Sequence, residues 1–249
     1  MIFLAGLPRT GSTLLTSILS QNSNIHAEGN SGLCQLMIDM KTSCIHNEQI
    51  KANYREQTQT DLLKEIPKIY YKGVDNKIII DKCRSWGSYT EIINDYITED
   101  PKFIVMLRPI EEIFASMVNL RMKNNYKTPF SGLLDAGSNP IMNSYDSTIR
   151  LIEKYSDKCV FVTYNDLIDR TKDTLDKIYN FCNIPEYQHQ FDNIVNVHQE
   201  NDEVYGLLGM HKVRNKIRKS EYKVDIPKIH LLKCKKLDSH LNDLTPVHD

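Results

Sequence analysis

The sequence predicts an α/β protein, a parallel central sheet flanked by helices, on three observations. Four short runs at 2–6, 77–81, 103–107 and 159–163 have continuous apolar centres, as strands covered on both faces do. Stretches with apolar residues three and four apart, the helical period, lie between and after them. The length of 249 residues, 41% hydrophobic and 25% charged, suits one globular domain carrying insertions.

Taken in order, Ile2-Phe3-Leu4-Ala5-Gly6 is the first strand and ends in the loop Leu7-Pro8-Arg9-Thr10-Gly11-Ser12. Thr13 to Ser20 then places Leu14, Leu15, Ile18 and Leu19 on one side of a helix. Residues 34–76 read as helical and polar, without a strand. Ile78-Ile79-Ile80 centres the second strand, and Phe103 to Leu107 is the third. Arg108-Pro109 follows at once, with a helix through Ile110, Ile113, Phe114 and Met117. Residues 122–144, rich in Asn, Gly, Pro and Ser, read as a mobile loop or lid. Cys159 to Thr163 is the fourth strand, and Leu167 to Phe181 the helix behind it. After Asn201 the chain reads as irregular and very basic. The expectation is a single domain over 1–249, with inserted segments at about 34–76 and 122–144 and a basic C-terminal flap at about 205–236.

Composition excludes several classes. Lys+Arg is 31 against Asp+Glu 32, a net charge of −1, which argues against a surface built to grip nucleic acid. No apolar run approaches the roughly 18 to 20 residues that cross a bilayer. No basic leader precedes the first strand, so a soluble, cytoplasmic protein is expected. The six cysteines form no C-x-x-C pair, and free buried thiols are expected in place of a zinc site.

Gly6-x4-Gly11 between a strand and a helix has the spacing of a Walker A phosphate loop, with Thr13 where its Ser/Thr falls. The lysine position, however, is Ser12, and the loop's cation has moved upstream to Arg9. Ile80-Asp81 runs straight into Lys82, so no strand ends in a lone metal-binding Asp. A loop that holds phosphate through backbone amides, Arg9, Ser12 and Thr13 needs no metal, within a P-loop NTPase-like three-layer architecture.

Pro8-Arg9-Thr10-Gly11-Ser12-Thr13-Leu14-Leu15 resembles the 5′-phosphosulfate loop of sulfotransferases that use 3′-phosphoadenosine 5′-phosphosulfate (PAPS). The arginine version is similar to that of protein-tyrosine sulfotransferases and related bacterial enzymes. The resemblance implies that Pro8 to Thr13 bind the phosphosulfate, and that Arg108 and Ser116 hold the 3′-phosphate, with Arg121 assisting. Tyr164, in a segment similar to the family's "YEDL", is placed near the adenosine or caps the sheet. Phe181-Cys182-Asn183-Ile184-Pro185 resembles a structural helix exit. His211 to Tyr222 resembles the basic loop that closes on the cofactor, with Arg218, Lys219 and Ser220 as its binding residues and Arg214 and Lys216 as rivals.

Sulfuryl transfer needs a cation for the leaving oxygen and a base for the acceptor hydroxyl. Arg9 fits the first role. Read alone, His26 is the better base, since an unperturbed imidazole titrates near neutrality. The resemblance favours Glu28, because arginine-loop members carry their catalytic glutamate shortly after the first helix. Asp81-Lys82 resembles the family's "DK" pair, with Lys82 at the sulfonate and Asp81 orienting it, or else a plain ion pair. Trp86 and Tyr89 are candidates for lining the acceptor cleft. The acceptor is a hydroxyl on a peptide tyrosine, a sugar, a lipid or another small molecule, chosen by segments 34–76 and 122–144. A kinase or nucleotide hydrolase with a degenerate Walker loop, and a non-catalytic nucleotide-binding protein, are the alternatives. The net charge conceals an asymmetry: residues 211–236 hold ten Lys/Arg and two Asp/Glu, net +8, and the remainder 21 and 30, net −9.

Overall fold

Side chains alternate between the two faces of a strand, so a sheet covered on both sides must be apolar on both. The computed structural model, which describes residues 1–74, 76–138, 140–220, 222 and 224–245, meets that demand with five parallel strands. They are β1 (Ile2–Gly6), β2 (Ile25–Ala27), β3 (Ile78–Lys82), β4 (Phe103–Leu107) and β5 (Cys159–Thr163), in the order β2-β3-β1-β4-β5. The interleaved helices are α1 (Ser12–Leu19), α2 (Leu33–His46), α3 (Glu48–Ala52), α4 (Glu56–Tyr70), α5 (Thr90–Tyr96), α6 (Ile110–Lys123), α7 (Ile141–Tyr155), α8 (Tyr164–Asp169), α9 (Thr171–Cys182) and α10 (Lys228–Leu244).

Two cores result. Phe3, Phe103, Val105 and Phe161 turn to one face, under α2, α5, α6, α7 and α10. Leu4, Ile104, Met106 and Val162 turn to the other, under α1, α8 and α9. Trp86, expected at the acceptor cleft, is 0% exposed in the first of these cores. It edges onto the Phe3 ring at 5.2 Å, so its role is packing.

Register brings the chemistry to one edge. Gly6 pairs with Met106, Leu4 with Lys82 and Leu107 with Thr163, so the C-terminal ends of β1, β3, β4 and β5 lie side by side. The chain leaves β1 toward β2 and leaves β4 toward β5, in opposite directions. That divergence opens the crevice where α/β sheets bind ligands.

Three expectations change. Residues 25–27 form an edge strand, too short and too polar at His26 to stand out in the sequence. The basic tail is not wholly irregular: its second half is α10, which inserts Cys234 and Leu241 into the core and leaves its lysines outside. Residues 122–144 are anchored, not a free lid: Leu133 and Leu134 are buried, and Arg121 donates to Pro129 O (3.2 Å) and Ser131 O (2.6 Å). Those contacts commit the Arg121 guanidinium to this segment. Segment 34–76 is helical, as α2, α3 and α4. Among the described residues, no helix is long and apolar enough to cross a membrane.

Candidate functional site

The loop after β1 has a conformation that its residues dictate. Gly6 takes φ +113°, and a Cβ there would lie 2.3 Å from Met106 O, so only glycine lets β4 approach this closely. Arg9 occupies the left-handed region (φ 59°), uncommon for a side-chain-bearing residue and a frequent mark of functional loops. Thr10 is fully buried and donates Oγ1 to Leu7 O at 2.9 Å, bracing the loop from beneath. Gly11 (φ 82°) starts α1, and no side chain caps it. The first helical bond runs from Leu15 N–H to Gly11 O, so the preceding amides emerge from the positive end of the helix.

Above this loop lies a half-open cavity of about 540 Å³. The strand ends furnish it: Pro8, Arg9, Gly11, Ser12 and Thr13 after β1, Lys82 and Arg84 at β3, Arg108 and Ser116 after β4, and Tyr164 after β5. The far wall comes from Lys212, Arg214, Lys216, Arg218, Ser220 and Tyr222. With Lys123, its lining holds nine Lys/Arg and, among the described residues, no Asp or Glu. So many cations converging on one concavity give it a positive potential suited to an anion.

Arg108 is the best-held of them. Its side chain is 2% exposed, donates Nε to Glu112 Oε2 (3.0 Å) and Nη1 to Arg9 O (2.8 Å), and lies 3.8 Å above the Tyr164 ring. Arg9 donates Nε to Ser116 Oγ (3.0 Å) and Nη1 to Met210 O, which joins the phosphate loop to α6 and to the C-terminal strap. Ser220 N–H donates to Tyr164 OH (3.0 Å), and Leu208 N–H to Asn124 Oδ1 (2.8 Å), fixing that strap across the cavity. Burial pushes the Tyr222 phenol up, but hydrogen bonds with Ser116 and Ser220 and the nearby Arg9 and Arg108 together bring it below its ordinary value.

At β3, neighbouring residues face opposite ways. Asp81 accepts from Ser31 Oγ, Tyr71 OH and Trp86 Nε1, each at 2.6 Å, and does not pair with Lys82. Burial raises its pKa against the pull of those donors. Lys82 instead donates to Gly29 O and to Thr13 Oγ1 (3.3 Å). Burial lowers its pKa to about 8, partly offset by Glu200. The guanidinium of Arg84 is also shifted down by burial, and its Nη1 lacks a hydrogen-bond partner among the described residues. Glu28 leaves the end of β2, where its Oε1 lies 3.0 Å from His26 Nε2.

A family model described as "Sulfotransferase family" matches residues 2–189. The chain belongs to the sulfotransferase family. It is therefore an enzyme of sulfuryl transfer. A Caenorhabditis briggsae chain named "Putative protein-tyrosine sulfotransferase" is 22% identical over 198 residues, 76% of this chain and 67% of that one. The fold is similar to the sulfotransferase domain of the Synechococcus PCC 7002 olefin synthase (16% identity, TM-score 0.55, covering 97% of this chain and 94% of that one). It is also similar to the sulfotransferase domain from the curacin biosynthetic pathway (15% identity, TM-score 0.57, covering 99% and 98%).

Of the residues singled out in the sequence of this sulfotransferase, Pro8, Arg9, Gly11, Ser12, Thr13, Lys82, Arg108, Ser116, Tyr164, Arg218 and Ser220 line one cavity, as do Arg214 and Lys216. Thr10 lies beneath it, Lys219 is exposed outside it, and Glu28 and His26 are not among its lining residues, which on that side begin at Asn30. Glu221 of the basic run lies outside the described residues. Tyr89 does not line the cavity, nor do the four lysines of α10, so only part of the +8 segment serves it. Sequence reasoning missed Arg84, Asn119 and Lys123, and took Lys212 and Tyr222 only as part of the basic run without singling them out. Asn119 and Lys123 had a signal, being three and seven residues past Ser116 on one helical face.

Proposed function

We propose that this sulfotransferase moves a sulfuryl group from PAPS to an acceptor hydroxyl by in-line displacement, without a metal ion, as one domain, with Glu28 as general base. The observation that carries the reading is the cavity's nine cations with, among the described residues, no carboxylate. Such a lining suits a donor with an anion at each end and lacks the acidic ligand that usually anchors Mg²⁺. The loop amides of residues 8–13, with Ser12 and Thr13, receive the phosphosulfate end. Arg108 and Ser116 receive the 3′-phosphate, Arg108 through a fork already oriented by Glu112 and the Arg9 carbonyl. Tyr164 packs near the adenosine, and Arg218 and Ser220 close over the nucleotide, whereas Lys219, expected with them, lies outside the cavity.

Arg9 and Lys82 stabilise the negative charge that develops on the leaving phosphate oxygen, which is where most of the rate in such a displacement arises. Glu28 takes the acceptor's proton as its oxygen bonds to sulfur. The acceptor is a hydroxyl of a peptide tyrosine, a sugar or a small molecule. The Caenorhabditis relative's name supports a phenolic one. Recognition of the rest of the acceptor falls to segments 34–76 and 122–144.

The test is Glu28→Gln, assayed with labelled PAPS and a panel of hydroxyl acceptors. Turnover falls by about 10²- to 10⁴-fold, while affinity for adenosine 3′,5′-bisphosphate is unchanged. A variant with wild-type turnover removes Glu28 from the mechanism.

A further inference from the structure

We infer that His26 is a positioning residue that holds Glu28 in its working orientation. This inference rests on the reading of Glu28 as the base. A carboxylate can only accept, so the hydrogen across the 3.0 Å contact is on His26 Nε2, and it holds Oε1 of Glu28. The other oxygen, Oε2, is left to take the acceptor's proton. The two residues that competed as bases in the sequence thus act as a pair, one holding and one reacting.

His26 is rigid where Glu28 is not. Its backbone is the centre of β2, between buried Ile25 and Ala27, in register with Ile79. The imidazole, 12% exposed, is packed edge-on by Tyr71 (5.6 Å) and by His198 (5.2 Å). Tyr71 is fixed in turn by its 2.6 Å bond to Asp81. Glu28 lies past the strand's end with its side chain 30% exposed, while the backbone after it is held by Lys82 donating to Gly29 O and by Ser31 N–H donating to Lys82 O (2.9 Å).

Two carboxyl groups lie within electrostatic reach of Glu28, and the Lys82 ammonium sits on the carbonyl of the next residue. The Glu28 charge raises the pKa of both Asp81 and Glu200, a contribution smaller than that of burial in each case. Without the imidazole N–H, a half-exposed glutamate repelled by two carboxylates turns outward to water. The charged and titratable groups near the pair are therefore Asp81 and Lys82 from β3, Tyr71 at the end of α4, and His198 and Glu200 from the segment after α9.

The experiment measures transfer from labelled PAPS to 4-nitrophenol, together with release of labelled sulfate to water, for His26→Leu, His26→Asn and His26→Gln. Leucine cannot donate, asparagine is too short to reach, and glutamine carries an N–H at about the right reach. The expected result is a kcat about 10- to 100-fold lower for Leu and Asn, with KM for PAPS and bisphosphate affinity within about twofold, and recovery to within about fivefold for Gln. In a Glu28→Gln background, His26→Leu has no further effect. Equal losses in both backgrounds, or a kcat within about twofold for both Leu and Asn, overturn the inference while leaving the sulfuryl-transfer reading intact. A wild-type enzyme that transfers label neither to 4-nitrophenol nor to any member of the panel of hydroxyl acceptors overturns that reading itself, and the inference with it.

Discussion

Replacing Arg108 by alanine separates recognition of the 3′-phosphate from every other contribution to binding. The guanidinium is almost fully buried, so the phosphate meets a cation that has already lost its water and its rotational freedom. A charge-assisted hydrogen bond contributes about 1.5–3 kcal/mol, and a fork offers two. Allowing for water that refills the space, the loss is about 3–4 kcal/mol, or about 10²- to 10³-fold in Kd. The scaffold tolerates the change, because Glu112 is 36% exposed and its carboxylate can be solvated. Removing one of nine like charges also relieves repulsion within the empty cavity. Calorimetric titration with adenosine 3′,5′-bisphosphate and with adenosine 5′-phosphate provides the assay. Wild type prefers the bisphosphate, and Arg108→Ala loses that preference while its affinity for the monophosphate changes by less than about fivefold. Arg108→Lys keeps the charge without the fork and falls between, about tenfold weaker than wild type. Equal weakening toward both nucleotides, or a change under about threefold for the bisphosphate, refutes the assignment.

Two further predictions concern β3. Lys82, lowered by burial to about 8 from an ordinary 10.5, loses its charge as pH rises through the folded value, so kcat/KM declines above about pH 8 and Lys82→Arg abolishes that decline. Because the unfolded chain binds more protons than the folded one between those two values, this group's contribution to stability rises with pH across the window, which urea midpoints at its two ends measure. Cys83 is held down to about 7 by the Cys34 hydrogen bond, and it is half-buried, so iodoacetamide at pH 7 labels it before the other five. Cys159 and Cys234, both pushed up to about 12 by burial, stay unmodified on the same timescale, and peptide mapping that finds either labelled as fast as Cys83 contradicts the assignment.

The fold was legible wherever a strand was long and fully buried. β1, β4 and β5 have the residue ranges that their apolar runs predict, and β3 differs by one residue. β2 was not legible, because three residues with a polar centre cannot display a period. α10 was hidden by its lysines: a helix that buries only Cys234 and Leu241 deeply has a hydrophobic stripe too sparse to read beneath so much charge. The phosphate loop and Arg108 were visible because their chemistry is local, a few residues at a strand's end. Arg84 was not, since nothing near it in sequence distinguishes it, and only the sheet order brings it to the cavity. Trp86 misled for the opposite reason. An aromatic just past a site lysine looks like a substrate contact, but the turn after β3 points it into the core, where its indole N–H satisfies Asp81.

Binding of adenosine 3′,5′-bisphosphate in EDTA, measured in competition with Mg·ATP and with adenosine 5′-phosphate, tests the central claim most directly. The proposed metal-free use of this cation-lined cavity, with the loop after β1 at its centre and Arg108 to one side, predicts that the bisphosphate binds at least about 100-fold more tightly than the monophosphate, and that Mg·ATP does not displace it. Binding that requires Mg²⁺, or tighter binding of ATP than of the bisphosphate, contradicts it.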